Sequence, residues 1–145
     1  MSRWPTAPPA GGTALVALLA LAGCRGEEPL IPVEGQVTVG GKPLTTGTVV
    51  YHPDPAKGNK SLHEPRGELG PAGRYQLVTG TQAVGAPPGW YKVTVYAGVK
   101  INPQDPYSPE KSLTRPKYGD PNTSGLAREV RPGAPAGAYD LKLEK

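Results

Sequence analysis

The sequence predicts an all-β domain, a β-sandwich of six or seven short strands. Three observations carry this. Apolar and polar residues alternate with period two in several short stretches. Glycine and proline, 20 and 19 of the 145 residues, stand between those stretches as punctuation and are not massed in one tract. Beyond the N-terminal segment, no window longer than a turn repeats with the helical period.

The first strand is Val33-Glu34-Gly35-Gln36-Val37-Thr38-Val39, in which Val33, Val37 and Val39 share the inward phase. Gly40-Gly41-Lys42-Pro43-Leu44 turns the chain, and Thr48-Val49-Val50-Tyr51-His52 forms a second strand stopped by Pro53-Asp54-Pro55. Ala56 to Pro65 is polar and aperiodic and reads as a mobile loop. Arg66-Gly67-Glu68-Leu69 begins a third strand, and Gly70-Pro71-Ala72-Gly73 turns it into Arg74-Tyr75-Gln76-Leu77-Val78-Thr79 as a hairpin. Gly89-Trp90-Tyr91-Lys92-Val93-Thr94-Val95-Tyr96-Ala97 is the clearest strand. Tyr91, Val93 and Val95 lie on one face, with Trp90, Lys92, Thr94 and Tyr96 on the other. Five prolines between Asn102 and Asn122 exclude a central strand there, leaving a long excursion. Leu126 to Val130 and Ala138 to Leu143 read as the last pair, joined through Arg131-Pro132-Gly133. Phenylalanine is absent, so tyrosine and tryptophan must fill the core, each with a polar tip to satisfy.

Ahead of the strands, Ala14 to Ala22 is an apolar run of about nine residues, too short to span a bilayer and of the length of a secretion-signal core. It ends in Leu21-Ala22-Gly23-Cys24, at the only cysteine of the chain. A single thiol makes no internal disulfide. These four residues resemble the lipobox of bacterial lipoproteins. The resemblance implies cleavage before Cys24 and attachment of acyl (palmitate-type) chains to it. One acyl chain holds a protein only marginally and two or more hold it stably. The expected organisation is a signal peptide over 1–23, the lipidated cysteine and a tether over 24–31, and the sandwich over 32–145. Arg25 follows the cysteine where some bacteria use aspartate for inner-membrane retention, which implies the outer membrane, on its periplasmic face.

Val33 to Leu44, then Gly47-Thr48-Val49, Gly73-Arg74-Tyr75 and Gly85-Ala86-Pro87-Pro88-Gly89-Trp90-Tyr91-Lys92-Val93-Thr94-Val95, resemble the carboxypeptidase regulatory-like domain. Lys117-Tyr118-Gly119-Asp120-Pro121 and Thr123-Ser124-Gly125-Leu126 resemble its version in small bacterial lipoproteins. The resemblance covers nearly the whole mature chain and implies a seven-stranded, transthyretin-like sandwich. That fold also hosts a purine-pathway hydrolase with a Tyr-Arg-Gly-Ser ending. This chain ends Leu143-Glu144-Lys145, so the hydrolase motif does not carry over.

Little chemistry is written in the residues. The formal charge of +4 falls to +3 when Arg3 leaves with the signal, and the basic residues are scattered among acids. No stripe for nucleic acid results. His52 and His63, the two histidines, lie in or beside proline-rich loops. His52, Asp54, His63 and Glu64 follow no metal-ligand spacing, and Asp105, Asp120 and Asn122 match no calcium loop. Ser124 lacks a nucleophile-elbow context. The reading is therefore non-catalytic, with no cofactor and no metal. The candidate contact residues are the surface aromatics Trp90, Tyr96, Tyr107 and Tyr118, which could stack on sugar rings or dock a protein. The expectation is a lipid-anchored envelope protein carrying a binding or structural module, its partner an envelope protein or a carbohydrate. The alternatives are a carbohydrate-binding or transport-linked accessory lipoprotein, for which Trp90 and the Tyr107 to Tyr118 loop would form one platform, and a hydrolase in which His52 and His63 converge.

Overall fold

Valines at every second position commit a strand to one buried face, and most of the chain's core follows from that rule. The computed structural model describes residues 2–6 and 28–145; the signal-like run 14–22, Cys24 and residues 25–27 of the tether lie outside the described residues. The described chain is an all-β sandwich with three short 3-10 turns.

The larger sheet is antiparallel throughout. From edge to edge it runs β11 (Ala127–Val130), β8 (Gly89–Tyr96), β3 (Thr48–Pro53), β4 (Arg66–Glu68), β6 (Val78–Thr79) and β7 (Ala83–Val84). The smaller sheet is built on β1 (Glu34–Val39). It pairs in parallel with β12 (Leu141–Leu143) and antiparallel with β2 (Lys42–Pro43) and β5 (Arg74–Gln76). A two-stranded ribbon, β9 (Gly98–Lys100) and β10 (Glu110–Ser112), belongs to neither sheet.

Seven of the expected stretches are strands. The stretch 74–79 is split at Leu77, so that β5 joins the smaller sheet and β6 the larger one. Leu77 is fully buried at this corner, its N–H donating to the Val33 carbonyl at 2.9 Å. The expected last pair does not form. β11 lies against β8 at an edge of the larger sheet while β12 lies against β1 in the other. Between them, Pro132, Pro135 and a left-handed Gly137 carry the chain across the sandwich. Tyr139 is drawn inward there, its hydroxyl meeting the Arg131 backbone at 3.3 and 3.4 Å. Strand β12 is correspondingly shorter than the alternation suggested.

Both sheets face a core whose aromatic bulk is tyrosine. Val33, Val37, Val49, Val93 and Leu141 are wholly buried, and Val39 is half-buried against them. Tyr51 and Tyr91 are fully buried, with ring centroids 5.6 Å apart, and Tyr75 stands 6.5 Å from Tyr51, both pairs tilted. Each phenol finds a partner. Tyr91 donates to the Pro87 carbonyl at 2.7 Å. Tyr75 donates to the Tyr139 carbonyl, so the 2.9 Å contact between the Tyr51 and Tyr75 hydroxyls has Tyr51 as donor. This chain of hydrogen bonds runs from one sheet to the other through the core. Gly35 makes room for it, because a Cβ there would collide with the Tyr139 carbonyl and the Tyr75 ring.

Candidate functional site

The four aromatic candidates do not share one surface. Trp90 opens β8 and is half-buried. Its carbonyl accepts from the Asp54 N–H at 3.0 Å and from Asn59 Nδ2 at 2.9 Å. Lys57 Nζ lies 4.1 Å from the centre of its ring. The segment 56–65, expected to be mobile, is therefore pinned to β8; Asp54 adds a cap on the 3-10 turn Pro55–Lys57, accepting from the Ala56 N–H at 3.1 Å. Tyr96 closes β8 on the same outward phase, six residues and roughly 20 Å further along. It is 47% exposed, and Tyr107, in the loop of the ribbon, is 92% exposed.

Tyr118 is not a surface residue. The 3-10 turn Pro116–Gly119 rolls its ring into the core, where it is 3% exposed, and its hydroxyl accepts the Glu144 N–H at 2.9 Å. A single-platform arrangement of Trp90 with the 107–118 loop is thereby excluded.

Around Tyr96 lies an open groove of about 540 Å³, lined among others by Thr48, Gly98, Glu110, Arg115 and Gly119. An aromatic face, a carboxylate and a guanidinium stand on its walls. Arg115 and Lys117 both reach the exposed Glu144 carboxylate, at 3.5 and 3.2 Å. The hydrogen bond from Lys117, then its charge and that of Arg115, hold Glu144 below the usual carboxylate range. In this exposed setting the ion pairs orient the wall more than they stabilise it. The sequence pointed to Tyr96 by its phase but gave no signal for Glu110 or Arg115, which reach the groove only because the ribbon folds back beside β8.

A second constellation is a line of three side chains on the outward face of the larger sheet. Glu64 Oε1 meets His52 Nδ1 at 3.0 Å, and His52 Nε2 meets Thr94 Oγ1 at 2.9 Å. Acid, imidazole and hydroxyl in this order form the relay of nucleophilic hydrolases. Here the hydroxyl is sealed in: Thr94 has no exposed surface, although its phase in β8 is outward, so no substrate carbonyl can reach Oγ1. The line acts as a cross-brace between β3, β8 and the loop before β4. We expect His52→Ala to cost about 1–3 kcal/mol by leaving the Thr94 hydroxyl unpartnered. Thr94→Val in the same chain should recover part of that loss, read as a coupling energy in a urea-denaturation double-mutant cycle.

The other polar candidates serve turns. Asp54 caps its 3-10 turn, and the His63 N–H donates to Ser61 Oγ at 3.2 Å; both ring nitrogens of His52 are engaged by Glu64 and Thr94, so the two histidines share no hydrogen bond. Asp105 accepts from the Tyr107 N–H and Asp120 from the Asn122 N–H, each two residues on. Ser124 is buried and accepts from the Leu126 N–H. Among the described residues, no three histidine, cysteine, aspartate or glutamate side chains gather as a metal site. The described residues include no helix long and apolar enough to cross a membrane. Compared with protein-family models, curated proteins and solved structures, the chain matches none.

Proposed function

We propose that the protein is a lipid-anchored cell-envelope protein, held by acyl chains on Cys24 at the periplasmic face of the outer membrane, whose sandwich is a non-catalytic binding module. The carboxypeptidase regulatory-like family is the assignment that best unites its motifs with an all-β sandwich. One observation carries the functional reading. The chain enters the sandwich through the bridge of Ile31 with Ala86, just before β8 begins, whereas the Tyr96 groove and the ribbon with Tyr107 lie at the end of β8. Attachment and contact surface are therefore at opposite ends, as an anchored module that reaches outward requires. The burial of Thr94 supports a binding role over a hydrolytic one. A carbohydrate ligand is the second reading, favoured by Tyr96 standing in one groove with Glu110 and Arg115.

The anchor is tested by detergent-phase partitioning and mass measurement of the native protein and of Cys24→Ala. Native protein should enter the detergent phase with a mass showing loss of residues 1–23 and gain of acyl chains, and the variant should show neither change. A water-soluble native protein with an intact N-terminus would sink the anchor.

A further inference from the structure

The end of the sandwich where the chain enters carries its own surface. Leu62 is 97% exposed at the crest of the loop between Asn59 and Glu64, and Val84 on the edge strand β7 is 50% exposed. A lone exposed leucine requires no explanation. This one borders a groove of about 520 Å³ whose walls include Leu30, Leu62, Ala83 and Pro87, and Glu28 lines it too. Lys60 stands on the same walls; Asn59, the residue before it, bonds the carbonyl of the half-buried Trp90, over whose ring Lys57 lies. An aliphatic crest, flanking lysines and an amphipathic indole are the elements that partition to the boundary between lipid and water.

Where the chain leads decides what covers this surface. Only four peptide steps separate Cys24 from Glu28, a reach of no more than about 14 Å when fully extended. Acyl chains on Cys24 would hold this end, and no other, against the bilayer. We propose that Leu62 and Val84, with Lys57 and Lys60, form a lipid-docking surface that seats the sandwich end-on upon an anionic bilayer. This rests on the reading of Cys24 as the anchor. The Tyr96 groove then faces away from the membrane in a fixed orientation, and the tether no longer lets the module tumble. Lys57 and Lys60 meet the anionic headgroups while Leu62 enters the acyl boundary.

The test uses the full chain purified from membranes and placed in vesicles of phosphatidylethanolamine with phosphatidylglycerol. A nitroxide is attached at Leu62→Cys in one sample and at Ile101→Cys, on the ribbon side, in another. Intact mass is measured on the same samples. The expected result is an acylated protein whose label at 62 collides with membrane oxygen and is shielded from an aqueous nickel chelate, while the label at 101 remains in water. Changing Lys57 and Lys60 to Gln should lower the ratio of shielded to exposed label about fivefold per lysine. With the label moved to Val84→Cys, Leu62→Asp should lower it about tenfold or more. An acylated protein with both labels equally open to the chelate overturns the docking surface and leaves the anchor standing. An unacylated protein that still shields the label at 62 overturns the anchor and leaves the surface standing; one that stays in solution overturns both.

Discussion

Replacing Tyr51 by alanine is expected to cost about 3–5 kcal/mol, the largest loss of any single truncation in the domain. Its ring is fully buried, lies between Tyr75 and Tyr91, and belongs to the central strand β3 of the larger sheet, so nothing can collapse into the space without moving both sheets. A small domain has about 5–15 kcal/mol in total, so the loss removes from about a fifth to nearly all of its stability. Tyr51→Phe separates the ring from the hydroxyl. In that variant Tyr75 still donates to the Tyr139 carbonyl, and one hydrogen bond is lost, at about 1 kcal/mol. Urea-denaturation midpoints of the two variants decide the matter. Equal losses would mean that the hydrogen-bond chain, and not the packing of the rings, holds the sheets together.

The second large effect is alkaline unfolding. Burial, reinforced by the neighbouring Tyr75 phenol, pushes the Tyr51 pKa well above the usual value of about 10. Burial likewise raises Tyr75, and raises Tyr91. A folded-state pKa above the unfolded one favours the protonated phenol in the fold. The stability it supports is complete below about pH 10 and declines above it, as the unfolded chain releases protons that the folded chain retains. Tyr51 and Tyr75 together give a decline of about 3 kcal/mol for each pH unit beyond that point. Phenolate absorbance and circular dichroism followed between about pH 9 and 12 should therefore show these tyrosines ionising in the same cooperative step in which the sheets melt. Gradual ionisation with the strands intact would refute the buried hydroxyl chain.

Strand identity was readable where one face is buried and the other wet. The alternation of Tyr91, Val93 and Val95 placed β8 correctly, because each lies on the core side and the period of two is a direct consequence of burial. The ribbon escaped notice for the same reason reversed. Glu110, Lys111 and Ser112 are all exposed, so no alternation marks β10 as a strand. Strand partners were less readable than strands. β11 and β12 are adjacent in sequence and read as a pair, but β11 joins β8 and β12 joins β1 in the other sheet, and no local pattern encodes that crossing. At the candidate sites the outward phase identified Trp90 and Tyr96 as facing away from the core. It could not show that Lys57 covers the first or that Glu110 and Arg115 flank the second. Tyr118 misled because a single aromatic among prolines has no period, and one 3-10 turn is enough to invert its direction.

The parallel pairing of β1 with β12 has a consequence for the order of events during synthesis. Gln36 and Asp140, which meet beside this pairing, are 104 residues apart, and closing so long a loop costs about 4 kcal/mol of chain entropy before any contact repays it. A chain growing from its N-terminus holds β1 with one edge unsatisfied until the three-residue strand β12 has been translated. Of the strand pairings in the smaller sheet this one is completed last, and the growing polypeptide is most exposed to aberrant strand pairing while β1 waits for β12.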